Sequence, residues 1–149
     1  MSEFVPLLTR GKERSIDANL VAQGIFPASF LKGYLTALEW LLPEQEEGDE
    51  TPETTGFAPE TLKKIAKECE TFENDNAEDL AHYAEGYTPK QGYSVYECAG
   101  HDFFLSREGH GSGFSDRGKH PCFERLEKAA SKYRESSPYI GDDSLVYVT

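Results

Sequence analysis

The stretch His101-Asp-Phe-Phe-Leu-Ser-Arg107-Glu-Gly109-His110-Gly-Ser-Gly-Phe-Ser-Asp-Arg117-Gly118 decides how the chain is read. Residues 101–107 are rich in aromatic and β-compatible side chains, and so are 112–116 apart from Gly113. Between them stands Glu108-Gly109, a relative of the Asp-Gly and Asn-Gly pairs that close two-residue hairpin turns. With that pair as the loop, Arg107 faces His110, Leu105 faces Ser112, Phe103 faces Phe114 and His101 faces Asp116. Side chains alternate along a strand, so all four pairs share one face. Directly opposed Cβ atoms lie about 4.5–5.5 Å apart. The expectation is therefore a β-hairpin locked by a His101–Asp116 charge pair and a Phe103–Phe114 stack.

Working outward, Phe30, Leu31, Tyr34, Leu35, Leu38, Leu41 and Leu42 recur at helical spacing and end at Pro43, which predicts an amphipathic helix. Residues 44–56 carry six acids with Gly48 and Pro52, the composition of a loop. Pro59 opens a second helical pattern, with Leu62, Ile65, Ala66, Cys69, Phe72, Leu80 and Tyr83 as its buried stripe. Asn74-Asp-Asn76 is placed to split that pattern into two helices. His120-Pro121 starts another helix, whose buried stripe is Cys122, Phe123, Leu126, Ala129, Ala130 and Tyr133, with Pro121 in the first turn. Tyr139-Ile140, a Gly141-Asp142-Asp143 turn and residues 145–148 read as terminal strands. The fold class expected is α+β: N-terminal helices packed on a small antiparallel sheet, in the order helices then β-β-α-β. One domain spans 1–149, with an acidic helical half at 1–88 and a hairpin-helix-strand half at 89–149.

The opening stretch also resembles a pattern shared by small proteins of tailed bacteriophages and prophages. That pattern is Gly-His-Asp-Phe-aromatic-Leu-Thr-Arg-Asn-Gly-His-Gly-x-Gly-Phe-Trp-Asp-Arg-Gly. Here it runs from Gly100 to Gly118, with Glu108 where the pattern has asparagine and Ser115 where it has tryptophan. The likeness extends weakly to the helix near 30–42, the acidic middle helix and the Gly141-Asp142-Asp143 tail. It implies a phage origin and the cytoplasm of an infected bacterial host, and it assigns no reaction.

Charge narrows the function further. The formal net charge is −12. Residues 1–88 hold 18 acids against 7 Lys and Arg, net −11, while residues 89–149 hold 9 against 8, net −1. Direct binding to a nucleic-acid backbone needs clustered Lys and Arg, so it is not expected. Three cysteines, an odd and sparse set, suit a reducing cytoplasm better than a disulfide framework. No run approaches the ~18 apolar residues of a membrane span, and no signal peptide is evident.

Three classes of site follow. The acidic residues Glu44, Glu46, Glu47, Asp49, Glu50, Glu70, Glu73, Asp75, Glu78 and Asp79 are candidates to meet a basic partner, such as a host defence complex, by mimicry of backbone charge. Plain solubility is the competing explanation. His101, Arg107, His110, Asp116 and Arg117 are candidates to hold a small anion, such as a signalling nucleotide. The plain alternative makes them hairpin locks and surface ions. Cys98-x-x-His101 and His120-x-Cys122 bring zinc-type donors, though the second spacing is tight for a zinc motif. Gly113 to Lys119 matches the shell of a phosphate-binding loop, but His120 and Pro121 stand where a hydroxyl and an amide are required. No cofactor and no catalytic group are expected. The function expected is a non-enzymatic anti-defence inhibitor; the alternatives are a module that sequesters a small anionic ligand and a zinc-binding protein or metal-dependent enzyme.

Overall fold

The computed structural model describes residues 29–42, 56–89, 92–109, 113–143 and 145–148. The 101–118 stretch is not a hairpin. Its first part lies in a helix, Val95–Glu108, which ends at Gly109. Its last part includes a short 3-10 turn, Phe114–Asp116.

The described elements run α1 (Ser29–Leu41), β1 (Gly56–Phe57), α2 (Pro59–Asp75), α3 (Ala77–Gly86), α4 (Val95–Glu108), the 3-10 turn, α5 (Pro121–Ser131), β2 (Tyr139–Ile140) and β3 (Leu145–Tyr147). The protein is α+β and mostly helical, and the expected order helices then β-β-α-β does not hold. The sheet is mixed, in the order β1-β3-β2. β1 runs parallel to β3, with Gly56 opposite Leu145 and Phe57 opposite Val146. β2 runs antiparallel to β3, with Tyr139 opposite Tyr147 and Ile140 opposite Val146. Tyr139–Ile140 and Leu145–Tyr147 are strands as expected, whereas Gly56, expected in a loop, starts β1. Asp143 shapes the β2–β3 turn by accepting the Leu145 amide at 3.0 Å.

α4 forms because both of its ends are specified. The Ser94 hydroxyl accepts the Glu97 amide at 3.1 Å, and the Glu97 carboxylate accepts the Ser94 amide at 3.3 Å, a reciprocal capping box. At the other end Gly109 sits at φ 73°, and its amide reaches the carbonyls of Leu105 and Ser106. That left-handed conformation costs glycine little. So Gly109 marks a chain reversal as expected, but as a helix terminator. The apolar pattern misled because α4 is packed on several sides at once: Asp102, Phe103 and Phe104 are all buried, as are Ser106, Arg107 and Glu108. A helix enclosed this way has no one-sided stripe to betray its period.

α1 and α4 cross with their backbones in contact. A Cβ on Gly33 would stand 1.8 Å from the Glu97 carbonyl oxygen, and one on Gly100 would stand 1.9 Å from that of Phe30. Each helix thus offers a glycine to the other's carbonyl. The crossing brings Phe30, Tyr34, Phe103 and Phe104 into one aromatic core. Phe72 of α2 stacks on Phe103 at 4.1 Å between centroids, and Tyr34 meets Phe104 edge-on at 5.1 Å. Phe114 is fully buried near Phe72 and Tyr83, so the 3-10 turn is anchored in this core.

α2 ends at Asp75 and α3 begins at Ala77, the break expected at Asn74-Asp-Asn76. Asn76 joins the two by bonding the Phe72 carbonyl through both its amide and its side chain. In α5, Pro121 takes the first turn and His120 caps it, its Nδ1 accepting the Cys122 amide at 3.0 Å.

Candidate functional site

Four polar residues of the marker stretch, Asp102, Ser106, Arg107 and Glu108, lie within about two turns of α4, and each reaches a different part of the chain. Asp102 is 1% exposed. It accepts Tyr83 Oη at 2.8 Å and takes a two-nitrogen grip from Arg117, with Nη2 at 2.7 Å and Nε at 3.0 Å. The Arg117 guanidinium also lies over the Tyr87 ring at 5.7 Å. The hydrogen bond that Arg117 donates to Asp102, and that carboxylate's charge, hold the Arg117 pKa above its ordinary value. Burial, with Asp102 close by, pushes the Tyr83 phenol up as well.

Ser106 accepts the Phe114 amide and donates to Glu127, which also takes the amide and hydroxyl of Ser115. Arg107 meets Glu68 at 3.2 Å, donates to Tyr34 Oη and to the carbonyls of Tyr133 and Arg134, and lies over the Phe103 and Tyr133 rings. Burial pulls the Arg107 pKa down, and Tyr34 and Glu68 outweigh it, so the guanidinium stays charged. Glu108 accepts both the amide and the hydroxyl of Ser136. These bonds secure the 133–137 segment, where Arg134 and Ser137 adopt φ of 62° and 45°.

The expected pairings therefore dissolve. His101 lies on α4 and Asp116 is exposed at the end of the 3-10 turn, so they are not cross-strand partners. Phe103 and Phe114 reach the core from separate elements. Of the five anion-site candidates, Arg107 is a buried brace and His110 lies outside the described residues. His101 and Arg117 do come together. They line one cleft with Tyr87, Tyr93, Glu97, Cys98 and the edge of Asp102. Its interior has about 30 Å³ for water-sized groups, while one water needs roughly 10–15 Å³. Tyr87 and Tyr93 carried no motif that would have singled them out. Glu97 was legible as a capping residue, since it stands three places after Ser94.

The metal-type candidates do not assemble. Cys98 and His101 border the cleft, whereas His120 and Cys122 start α5. Among the described residues no three His, Cys, Asp or Glu side chains gather to hold an ion. His120 instead stacks on His82 at 5.0 Å. The three cysteines are free and buried.

The acidic candidates divide in two. Glu44, Glu46, Glu47, Asp49 and Glu50 lie outside the described residues. Glu70, Glu73, Asp75, Glu78 and Asp79 surround the α2–α3 junction. Residues 68–85 hold seven acids and no Lys or Arg, while Lys63, Lys64 and Lys67 occupy the preceding turns of α2. Glu70, Asp75 and Glu78 are exposed. Partial burial, then the neighbouring Glu70, raises the Glu73 pKa. Two of the seven carboxylates are answered from within: Arg107 meets Glu68 at 3.2 Å, and Arg125 grips Asp79 with Nη2 at 2.7 Å and Nε at 3.0 Å.

No family model, curated protein or solved structure matches this chain. Among the described residues no helix is long and apolar enough to cross a membrane.

Proposed function

We propose that the protein is a phage-encoded, stoichiometric binder that occupies a basic, nucleic-acid-binding surface of a host protein, and that it acts as an anti-defence inhibitor. The observation that carries this reading is the α2–α3 corner. There a stretch of seven acids without a Lys or Arg projects Glu70, Asp75 and Glu78 from two helices into solvent. Crowding of like charges is a cost in the free protein, and a cationic surface relieves it. The marker stretch supports the phage origin by resemblance. Its polar side chains Asp102, Ser106, Arg107 and Glu108 are engaged in holding the fold, which favours a binding role over a reaction built on them.

The test is capture from host lysate at low and moderate salt, followed by competition with DNA. A basic partner should be retained by the parent chain and released by added DNA. It should be lost when Glu70→Gln, Glu73→Gln, Asp75→Asn and Glu78→Gln are combined. Capture of no basic partner at either salt would count against the proposal. So would a partner that the combined variant holds equally well.

A further inference from the structure

The start of α5 carries a feature that goes beyond the reading of the acidic corner and does not depend on it. Pro121 opens the helix and has no amide to donate, so the first amide that needs an acceptor is that of Cys122. Cys122 is 0% exposed, so water does not serve it. His120 Nδ1 accepts this amide at 3.0 Å. A ring nitrogen accepts only while it carries no proton, so the cap exists only for neutral histidine. His120 is exposed, and its ring stacks on that of His82 in α3, with 5.0 Å between centroids. We propose that the His82–His120 pair is a pH-sensitive latch, which fixes the start of α5 against α3 while His120 is neutral and releases it when both rings are protonated.

The surrounding charges treat the two rings differently. Glu85 Oε2 of α3 lies 3.9 Å from His82 Nδ1. Among the described residues no carboxylate lies at ion-pair distance from His120. Asp79 of α3 and Arg125 of α5 bond each other, and Arg117 is held by Asp102. Lys119 stands just before His120, Glu124 lies in the first turn of α5, and Asp116 ends the 3-10 turn. Burial raises the Cys122 thiol, which stays neutral. A proton on His82 is thus answered by Glu85. A second proton, on His120, breaks the cap, sets two like charges against each other and opposes the positive end of the α5 dipole.

What the latch holds is the turn that carries Phe123. That ring is 2% exposed, meets Tyr83 of α3 at 5.8 Å between centroids and closes on Gly118, where an added Cβ would stand 2.7 Å from it. Loss of the cap loosens this turn between α3 and the chain leading into α5. The folded chain offers the neutral His120 ring a bond that the unfolded chain lacks. The stabilisation is therefore present at high pH and lost as pH falls through the histidine range, from about 8 to 5.

The test compares the full-length parent with His120→Asn, which keeps a capping oxygen that does not titrate. Between about pH 8 and pH 5 the parent should lose about 3 °C more of its melting temperature than His120→Asn does. In NMR spectra of the parent, the Cys122 amide resonance should move with the same midpoint as the His120 ring. Hydrogen exchange at the Cys122 and Phe123 amides, corrected for its intrinsic pH dependence, should quicken roughly fivefold over that range in the parent alone. His82→Gln should move the midpoint to higher pH, because no charged ring then opposes a proton on His120. The proposal is overturned if His120→Asn melts with the same pH dependence as the parent. It is also overturned if the Cys122 amide stays unshifted while the His120 ring takes its proton, or if the midpoint is unmoved in His82→Gln.

Discussion

α4 and the α2–α3 corner are both rich in charge, and they use it in opposite ways. On α4 each charge has a counterpart at hydrogen-bond distance, as Asp102 has Arg117 and Arg107 has Glu68. At the corner like charges adjoin, and Arg125 answers Asp79 from the protein's own surface. Paired and buried charge specifies a fold, because losing one partner strands the other in a poor solvent. Crowded, exposed charge contributes little to the fold and is available to something outside. The stretch most conspicuous in the sequence is thus the structural one. The acidic run, easily dismissed as a solvated surface, carries the functional proposal.

The comparison breaks most readily at the α1–α4 crossing. Gly100→Ala places a methyl carbon where the Phe30 carbonyl already stands, and two backbones cannot yield as a side chain can. The expected cost exceeds about 4 kcal/mol, seen as loss of the cooperative thermal transition in circular dichroism. A variant with an unchanged melting temperature would show that the helices do not touch there. Next in size is Arg107→Met, which strands Glu68 and uncaps the Tyr133 and Arg134 carbonyls. Denaturant unfolding should register a loss of about 3–5 kcal/mol. Ser94→Ala removes one half of the capping box and should cost about 1 kcal/mol, with faster hydrogen exchange confined to the first turn of α4.

The smallest effect has the opposite sign. The folded-state pKa of Glu73 is raised above the ordinary 4.5, so the fold disfavours its ionised form. Its contribution is most favourable below pH 4.5 and is lost as pH rises through the raised folded value. Glu73→Gln should therefore stabilise the protein at pH 7 relative to the parent, by well under 1 kcal/mol because the group is half exposed. That advantage should shrink at pH 4 in parallel denaturant titrations. A destabilised variant at pH 7 would place Glu73 with the paired charges of α4.

How far each element was legible follows from how it is packed. α2 and α5 lie at the surface with one face inward, so Leu62, Ile65, Cys69 and Phe72, and likewise Cys122, Phe123, Leu126 and Ala130, announced themselves by spacing. α4 lies inside, and its Phe103-Phe104 pair suits a strand as well as an enclosed helix. Its end signals, Ser94-x-x-Glu97 and Gly109, were present in the sequence and outweighed by the aromatic pattern. β1 is two residues long, too short to show any period.

The sequence by itself determined the helices with one buried face, the break at Asn76, the β2–β3 turn and the lopsided charge. Each of these is local: a repeat, a cap, a turn residue or a sum. Only the tertiary structure decided that the 101–108 segment is helical, that Arg107 is a brace and that Arg117 shares a cleft with His101. Those outcomes depend on which groups meet across a long stretch of chain. Partners of that kind are chosen by packing and by the satisfaction of buried charge, neither of which is written in the spacing of neighbouring residues.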